Sequence, residues 1–195
     1  MKVITNVVNN PIFIELQFKS LQKYLKNEFE FIVFNDAKDF PDYTNGGDIT
    51  IKKKIEDKCK ELGLKCITLE NHSHMYNHSG SFRHSQVLAN IIKYQLKNPD
   101  KYLLLDSDML LVSYLDINKW SSFKSAIVLQ QRNNNCNYIW PGLCYLDMTE
   151  GNYFDVFNWN LTPTTDAGGM TEVWLKTQIQ EGENFPTTEN LRWDC

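Results

Sequence analysis

The sequence has no Cys-x-x-Cys pair, no glycine before Gly46 and no histidine after His84. Its five cysteines (Cys59, Cys66, Cys136, Cys144 and Cys195) are scattered and odd in number. That pattern argues against a disulfide framework and suits a reduced, intracellular chain. No run of residues reaches the apolar length of a membrane-spanning helix. The N-terminus, Met1-Lys2-Val3-Ile4-Thr5-Asn6, has the pattern of a strand and not of a secretory signal. A cytoplasmic location is therefore expected, and the Asn-x-Ser/Thr triplets at Asn71, Asn77 and Asn160 are read as coincidence. An excess of positive charge is also missing. With 20 Lys and Arg against 24 Asp and Glu the net charge is −4, which excludes an electrostatic case for nucleic acid or an anionic membrane as partner. There is no internal repeat and no low-complexity segment.

What is present is enough chain for a single domain over residues 1–195, which buries a core without disulfide or metal. Residues 2–8 are rich in β-branched side chains and read as a first strand. Asn9-Asn10-Pro11 then offers an N-cap and a proline for the first helical position. Ile14, Phe18, Leu21 and Leu25 follow on one helical stripe. A second apolar strand covers 29–34 and closes at Asn35-Asp36. A loop at 39–47 carries Pro41, Asn45, Gly46 and Gly47. Ile51, Ile55, Cys59 and Leu62 form a second helical stripe, stopped by Gly63, and 64–69 is a third strand.

A polar loop at 70–81 holds His72, His74 and His78, and a helix at 82–97 turns Leu88, Ile91, Ile92, Gln95 and Leu96 inward. The order so far, βαβαβαβ, predicts an α/β fold with a Rossmann-like, mostly parallel central sheet and helices on both faces. The second part is less regular. Strands are expected at 125–129 and 143–146, a polar stretch at 130–137, and an aromatic turn at 138–142. An aromatic-rich segment lies at 153–159 and a helix at 170–180.

The stretch that carries chemistry is Tyr102-Leu103-Leu104-Leu105-Asp106-Ser107-Asp108-Met109-Leu110-Leu111-Val112. A continuous apolar run reads as a strand buried on both faces, and open α/β sheets bind ligands at the carboxyl ends of their strands. Alternate residues at a strand end point the same way. Asp106 and Asp108 are thus placed to share one hard divalent cation, Mg²⁺ or Mn²⁺. Asp-Ser-Asp is also good turn chemistry; the apolar run on both sides favours the metal.

An apolar strand ending in Asp-x-Asp near residue 100 of a βαβαβαβ chain resembles the nucleotide-sugar glycosyltransferases of the GT-A fold. The resemblance covers residues 1 to about 150. It rests on Val3-Ile4-Thr5-Asn6, Phe34-Asn35-Asp36, a helix carrying Arg83 and Asn90, and Tyr102 to Asp108. It implies a metal-dependent, hexosyltransferase-like enzyme. A sugar would pass from a nucleoside-diphosphate donor to a hydroxyl on a glycan or other acceptor, with no nucleic acid and no transmembrane segment involved. Residues 1–112 would be the nucleotide-binding half and 113–195 the acceptor-side half. Asp108 would ligate the metal directly and Asp106 the metal or the ribose. Asn6 and Asp36 would line base and ribose, and Arg83 would face the diphosphate. The family often adds a metal-binding histidine near its C-terminus, and this sequence offers none there.

If the reaction inverts configuration, a carboxylate must take the acceptor's proton. Asp166, in Thr164-Thr165-Asp166-Ala167-Gly168-Gly169, is the first choice and Glu172 the second. Trp140, beside Pro141-Gly142, is the aromatic chosen for stacking on an acceptor sugar; Tyr138, Tyr153, Phe154, Phe157 and Trp159 are read chiefly as core. His72, His74, His78 and His84 are weighed as a metal cluster, but they have no cysteine partner and the first three have no fixed scaffold, so they read as a polar loop near the site and not as zinc ligands. Three other readings share the motif or the sheet. A haloacid-dehalogenase-type phosphatase places Asp-x-Asp on its first strand, and here it falls on the fourth. A non-catalytic or truncated nucleotide-sugar-binding domain is the remaining alternative. Sugar-nucleotide pyrophosphorylases begin with a glycine-rich loop, and Asn6 to Pro11 contains no glycine.

Overall fold

The computed structural model describes residues 1–76, 79–131, 136–149 and 154–180. Asn77, His78, Tyr153 and Cys195 lie outside these residues. In chain order the elements are β1 (Lys2–Val7), α1 (Ile12–Tyr24), β2 (Glu30–Asn35), α2 (Ile51–Glu61) and β3 (Lys65–Thr68). They continue with α3 (Gly80–Lys97), β4 (Lys101–Asp106), β5 (Ser125–Gln131), β6 (Asn137–Asp147) and α4 (Thr171–Gln180). The strands form one sheet in the order β3-β2-β1-β4-β6-β5. β1 runs parallel to β2 and β4, and β2 to β3, whereas β6 is antiparallel to both β4 and β5.

The four parallel strands are apolar on both faces because helices cover both faces. Side chains alternate across the sheet. Ile4, Ile32, Phe34, Tyr102 and Leu104 pack on α3 and α4, through Leu88, Ile91 and Trp174. Val3, Val7, Phe31, Val33, Leu103 and Leu105 pack on α1 and α2, through Ile14, Leu21, Ile55 and Cys59. Phe154, Phe157, Trp159 and Trp174 cluster edge-to-face and stacked, so the described aromatics of the 153–159 segment are core, as expected.

Local signals explain most element ends. The Asn10 side chain accepts from the Ile12 N–H at 3.2 Å, and Pro11, expected as the first helical residue, sits instead at the N-cap, one position earlier, with the helix starting at Ile12. Gly63, just past α2, has φ +66°, a conformation only glycine adopts without strain. Ser79 caps α3 by accepting from the Phe82 N–H at 3.2 Å, which starts the helix at Gly80 and not at Phe82. On α3, Gln95 is fully buried, but Leu96 is 42% exposed and does not turn inward.

The aromatic turn expected at 138–142 does not exist. These residues belong to β6, which is continuous from Asn137 to Asp147. The pairing with β5 jumps there, from Ile127 opposite Cys144 to Val128 opposite Trp140. Pro141, Gly142 and Leu143 are thus accommodated as a bulge, where a residue without an N–H does no harm. The Trp140 ring lies over Gly142, where a Cβ would come within 2.2 Å of it.

Candidate active site

Asn6, Asp36 and Asp106 come together because their strands are neighbours. Asn6 pairs with Asp106 across β1 and β4, and β2 ends one residue before Asp36. Their carboxyl ends open on a cleft of about 280 Å³, also lined by Tyr43, His74, Arg83, His84, Ser107 and Asp108. Five residues singled out in the sequence, Asn6, Asp36, Arg83, Asp106 and Asp108, therefore share one cavity.

The Asp-Ser-Asp turn is held from below by a residue with no motif to announce it. Gln17 on α1 is fully buried, and its Nε2 donates to the carbonyls of Asp106 and Met109, each at 2.8 Å. The Met109 N–H returns to the Asp106 carbonyl at 3.0 Å and closes the turn. Asp106 is half-buried and Asp108 is exposed. Burial pushes the Asp106 carboxyl above its ordinary range, Asp108 and Asp166 push the same way, and His84 opposes them. Asp166 thus lies within electrostatic reach of the motif.

Asp166 accepts from the Ala167 N–H at 2.8 Å within its own turn. It is not the cap of α4, which begins five residues later. Gly168 has φ +95°, and a Cβ there would lie 2.4 Å from the Ile139 carbonyl. Thr171 closes the turn by donating to the Gly168 carbonyl at 2.6 Å and accepting from the Ile139 N–H at 2.8 Å. Glu172 is ion-paired with Lys176 at 3.1 Å and does not line the cleft. Trp140 is half-buried among the apolar residues on the α1/α2 face and does not line it either.

The wall opposite the motif is a buried chain of charges. Asp36 accepts from Lys38 (3.2 Å), Asn71 (3.3 Å) and His74 Nε2 (2.7 Å). The other ring nitrogen of His74 faces Asp42 at 2.5 Å. Arg83 donates to both Asp42 oxygens at 2.7 and 3.0 Å and to the His74 carbonyl at 3.0 Å, and stacks on Tyr43 at 4.4 Å. Arg83 is only 4% exposed, although it lies in the first turn of α3. His74, expected in a polar loop, is buried in a 3₁₀ turn, whereas His72 is exposed.

Among the residues lining the cleft, Asn6 Oδ1, Arg83 Nε and His84 Nε2 are each buried without a hydrogen bond. His84 Nε2 lies 3.5 Å from Asp106 Oδ1. Among the described residues, no set of three or more His, Cys, Asp or Glu side chains is closed into a metal site, and no helix is long and apolar enough to cross a membrane.

The sequence matches no family model and no curated protein. Solved structures do resemble the chain. The mannosyltransferase PcManGT from Pyrobaculum calidifontis, in complex with GDP-Man and Mn²⁺, aligns over 95% of this chain and 53% of its own, at TM-score 0.59 and 10% identity. The fold is GT-A-like. The galactosyltransferase LgtC, in complex with donor and acceptor sugar analogues, aligns over 92% of this chain and 66% of its own, at TM-score 0.49 and 13% identity. Identities this low establish the fold alone, and the chain spans about half the length of PcManGT.

In this GT-A-like sheet, Gln17, Asp42, His74 and His84 were missed as site residues. His74 and His84 were visible as histidines near the motif. Gln17 stands 89 residues from Asp106 in the chain and leaves no local signal.

Proposed function

We propose that the protein transfers a sugar from a nucleoside-diphosphate donor to a hydroxyl acceptor, with Mn²⁺ or Mg²⁺ held by Asp106 and Asp108. The observation that carries this reading is the Asp-Ser-Asp turn at the end of β4, facing a cleft shared with Asn6, Asp36, Arg83 and His84. The donor set fits a hard dication. Two carboxylates stand two residues apart, and the more buried one is held above its ordinary range by burial and by negative neighbours, a charge surplus that a cation relieves. Bound there, the cation would neutralise charge growing on the diphosphate leaving group.

The chain's own residues divide the remaining work. Asn6 offers an unpartnered acceptor, Oδ1, for a donor hydroxyl or base N–H. Asp36 and Arg83 line the cleft while clamped by Lys38, His74 and Asp42. They act as a rigid, charge-paired wall beside the place proposed for the diphosphate. Asp166, outside the cleft lining but within electrostatic reach of Asp106, is the carboxylate suited to take the acceptor's proton if configuration inverts; Trp140, packed on the α1/α2 face, is not placed to stack on a sugar in this cleft. Residues 1–112 then form the nucleotide half and 113–195 the acceptor side. A purely binding module is the competing reading, since the chain spans 53% of the similar mannosyltransferase.

Titration calorimetry with uridine and guanosine diphosphate, with and without Mn²⁺, tests the proposal. Binding should require both nucleotide and metal, and Asp108→Ala should abolish it without changing the circular dichroism spectrum. Undiminished binding by that variant sinks the metal assignment. Release of free sugar from a panel of nucleotide sugars separates an enzyme from a binding module.

A further inference from the structure

We infer that His84 Nε2 is a third protein ligand for the divalent cation held by Asp106 and Asp108, an inference that rests on the metal-dependent reading above. The imidazole is aimed by α3. Ser79 caps that helix, and the clamp of Arg83 between Asp42 and the His74 carbonyl fixes its rotation. The next residue, His84, is thereby turned towards the end of β4, with its Nε2 3.5 Å from Asp106 Oδ1.

That distance is the informative quantity. It is longer than the roughly 2.7–3.2 Å of an N–H···O hydrogen bond, and Nε2 is buried without any other partner. Leaving such an atom unsatisfied is unfavourable. Two donor atoms each about 2.1 Å from one cation lie about 3.0 Å apart at a right angle and about 3.4 Å apart at a tetrahedral angle. The observed separation is therefore nearly that of two atoms sharing a metal. With the proton on Nδ1, the Nε2 lone pair is free to ligate. Asp108, exposed on the same turn, would complete the set by a side-chain swing, since the three side chains are not gathered into a metal site as they stand.

His74 cannot substitute, because its two ring nitrogens face Asp36 at 2.7 Å and Asp42 at 2.5 Å. The inference also bears on metal choice. Mg²⁺ takes oxygen ligands almost exclusively, whereas an imidazole nitrogen favours a transition ion, so the site should prefer Mn²⁺ to Mg²⁺.

The test is electron paramagnetic resonance on the whole chain, using Mn²⁺ alone and Mn²⁺ with guanosine diphosphate. The wild type should show electron-spin-echo modulation from one directly bound nitrogen. His84→Ala should lose that modulation and bind Mn²⁺ at least about tenfold more weakly, the scale on which even outer-shell partners act. His84→Asp, which returns an oxygen ligand, should recover Mn²⁺ affinity without the nitrogen signal and should narrow the preference over Mg²⁺. If His84→Ala does not fold, the wild-type spectrum and His84→Asp decide the matter. Mn²⁺ uptake that depends on Asp108 but shows no nitrogen coupling, or coupling that persists in His84→Asp, overturns the role of His84 alone. Failure of the wild type to take up Mn²⁺ overturns this inference and the metal-dependent reading together.

Discussion

Asp42 sits in a loop between β2 and α2, yet four groups converge on its side chain. Thr44 and His74 each approach within 2.5 Å, Arg83 within 2.7 Å and the Tyr43 N–H within 2.8 Å. Burial alone would raise this carboxyl, but hydrogen bonds from Thr44, His74 and Arg83 outweigh it and hold the group well below the usual carboxylate range. A carboxyl depressed on folding adds stability above its unfolded value of about 3.9, and that contribution is lost as pH falls through the folded value. Asp42→Asn leaves Arg83 buried without its anion and should cost roughly 3–5 kcal/mol at pH 7. The gap between variant and wild type should narrow progressively below about pH 4, where the unfolded chain takes up a proton that folded Asp42 still refuses. Urea denaturation at pH 7 and pH 3 measures both. An equal stability at pH 7 would show that the clamp contributes nothing.

Among the elements, α1 ties the Asp-Ser-Asp turn to the rest of the fold. Its outer stretch is anchored as well: Ser20 accepts from the Leu111 N–H at 3.3 Å, and the Tyr24 carbonyl from the Leu115 N–H at 2.9 Å. The strongest link is Gln17, whose single amide nitrogen satisfies two carbonyls of the turn. Gln17→Met keeps the volume and removes the donor. It should lower stability by about 1–3 kcal/mol, the usual effect of stranding buried polar groups. It should also weaken Mn²⁺-dependent nucleotide binding, although Gln17 is not among the residues lining the cleft. Calorimetry on the variant separates these effects. Unchanged affinity in a destabilised protein would mean the turn holds its shape without Gln17.

At the scale of the whole molecule, a ligand bound only by the folded state stabilises it by mass action. Mn²⁺ and nucleoside diphosphate together, at one hundred times their dissociation constant, should add about 2.7 kcal/mol. Differential scanning calorimetry should then show the melting temperature rising by several degrees. Either component alone should shift it little if, as proposed, the cation links the two carboxylates to the diphosphate.

Much of this architecture is written locally. The strands β1, β2 and β4 are legible because a parallel strand covered on both faces must be apolar throughout. The α1 stripe of Ile14, Leu21 and Leu25 is legible because one helical face is buried. Asp106 and Asp108 stood out because they interrupt such a run. By itself, the sequence determined the alternation of strands and helices and the place of the acidic pair at a strand end. The tertiary structure alone decided that β6 runs straight through Pro141-Gly142. It also alone brought Gln17 under the turn, joined His74 to Asp36 and Asp42, and set His84 beside Asp106. The physical reason is range: periodicity and caps act over a few residues of chain. The contacts that shape the cleft bridge 38 residues from Asp36 to His74, 41 from Asp42 to Arg83 and 89 from Gln17 to Asp106. Only a folded sheet brings such residues within hydrogen-bonding distance.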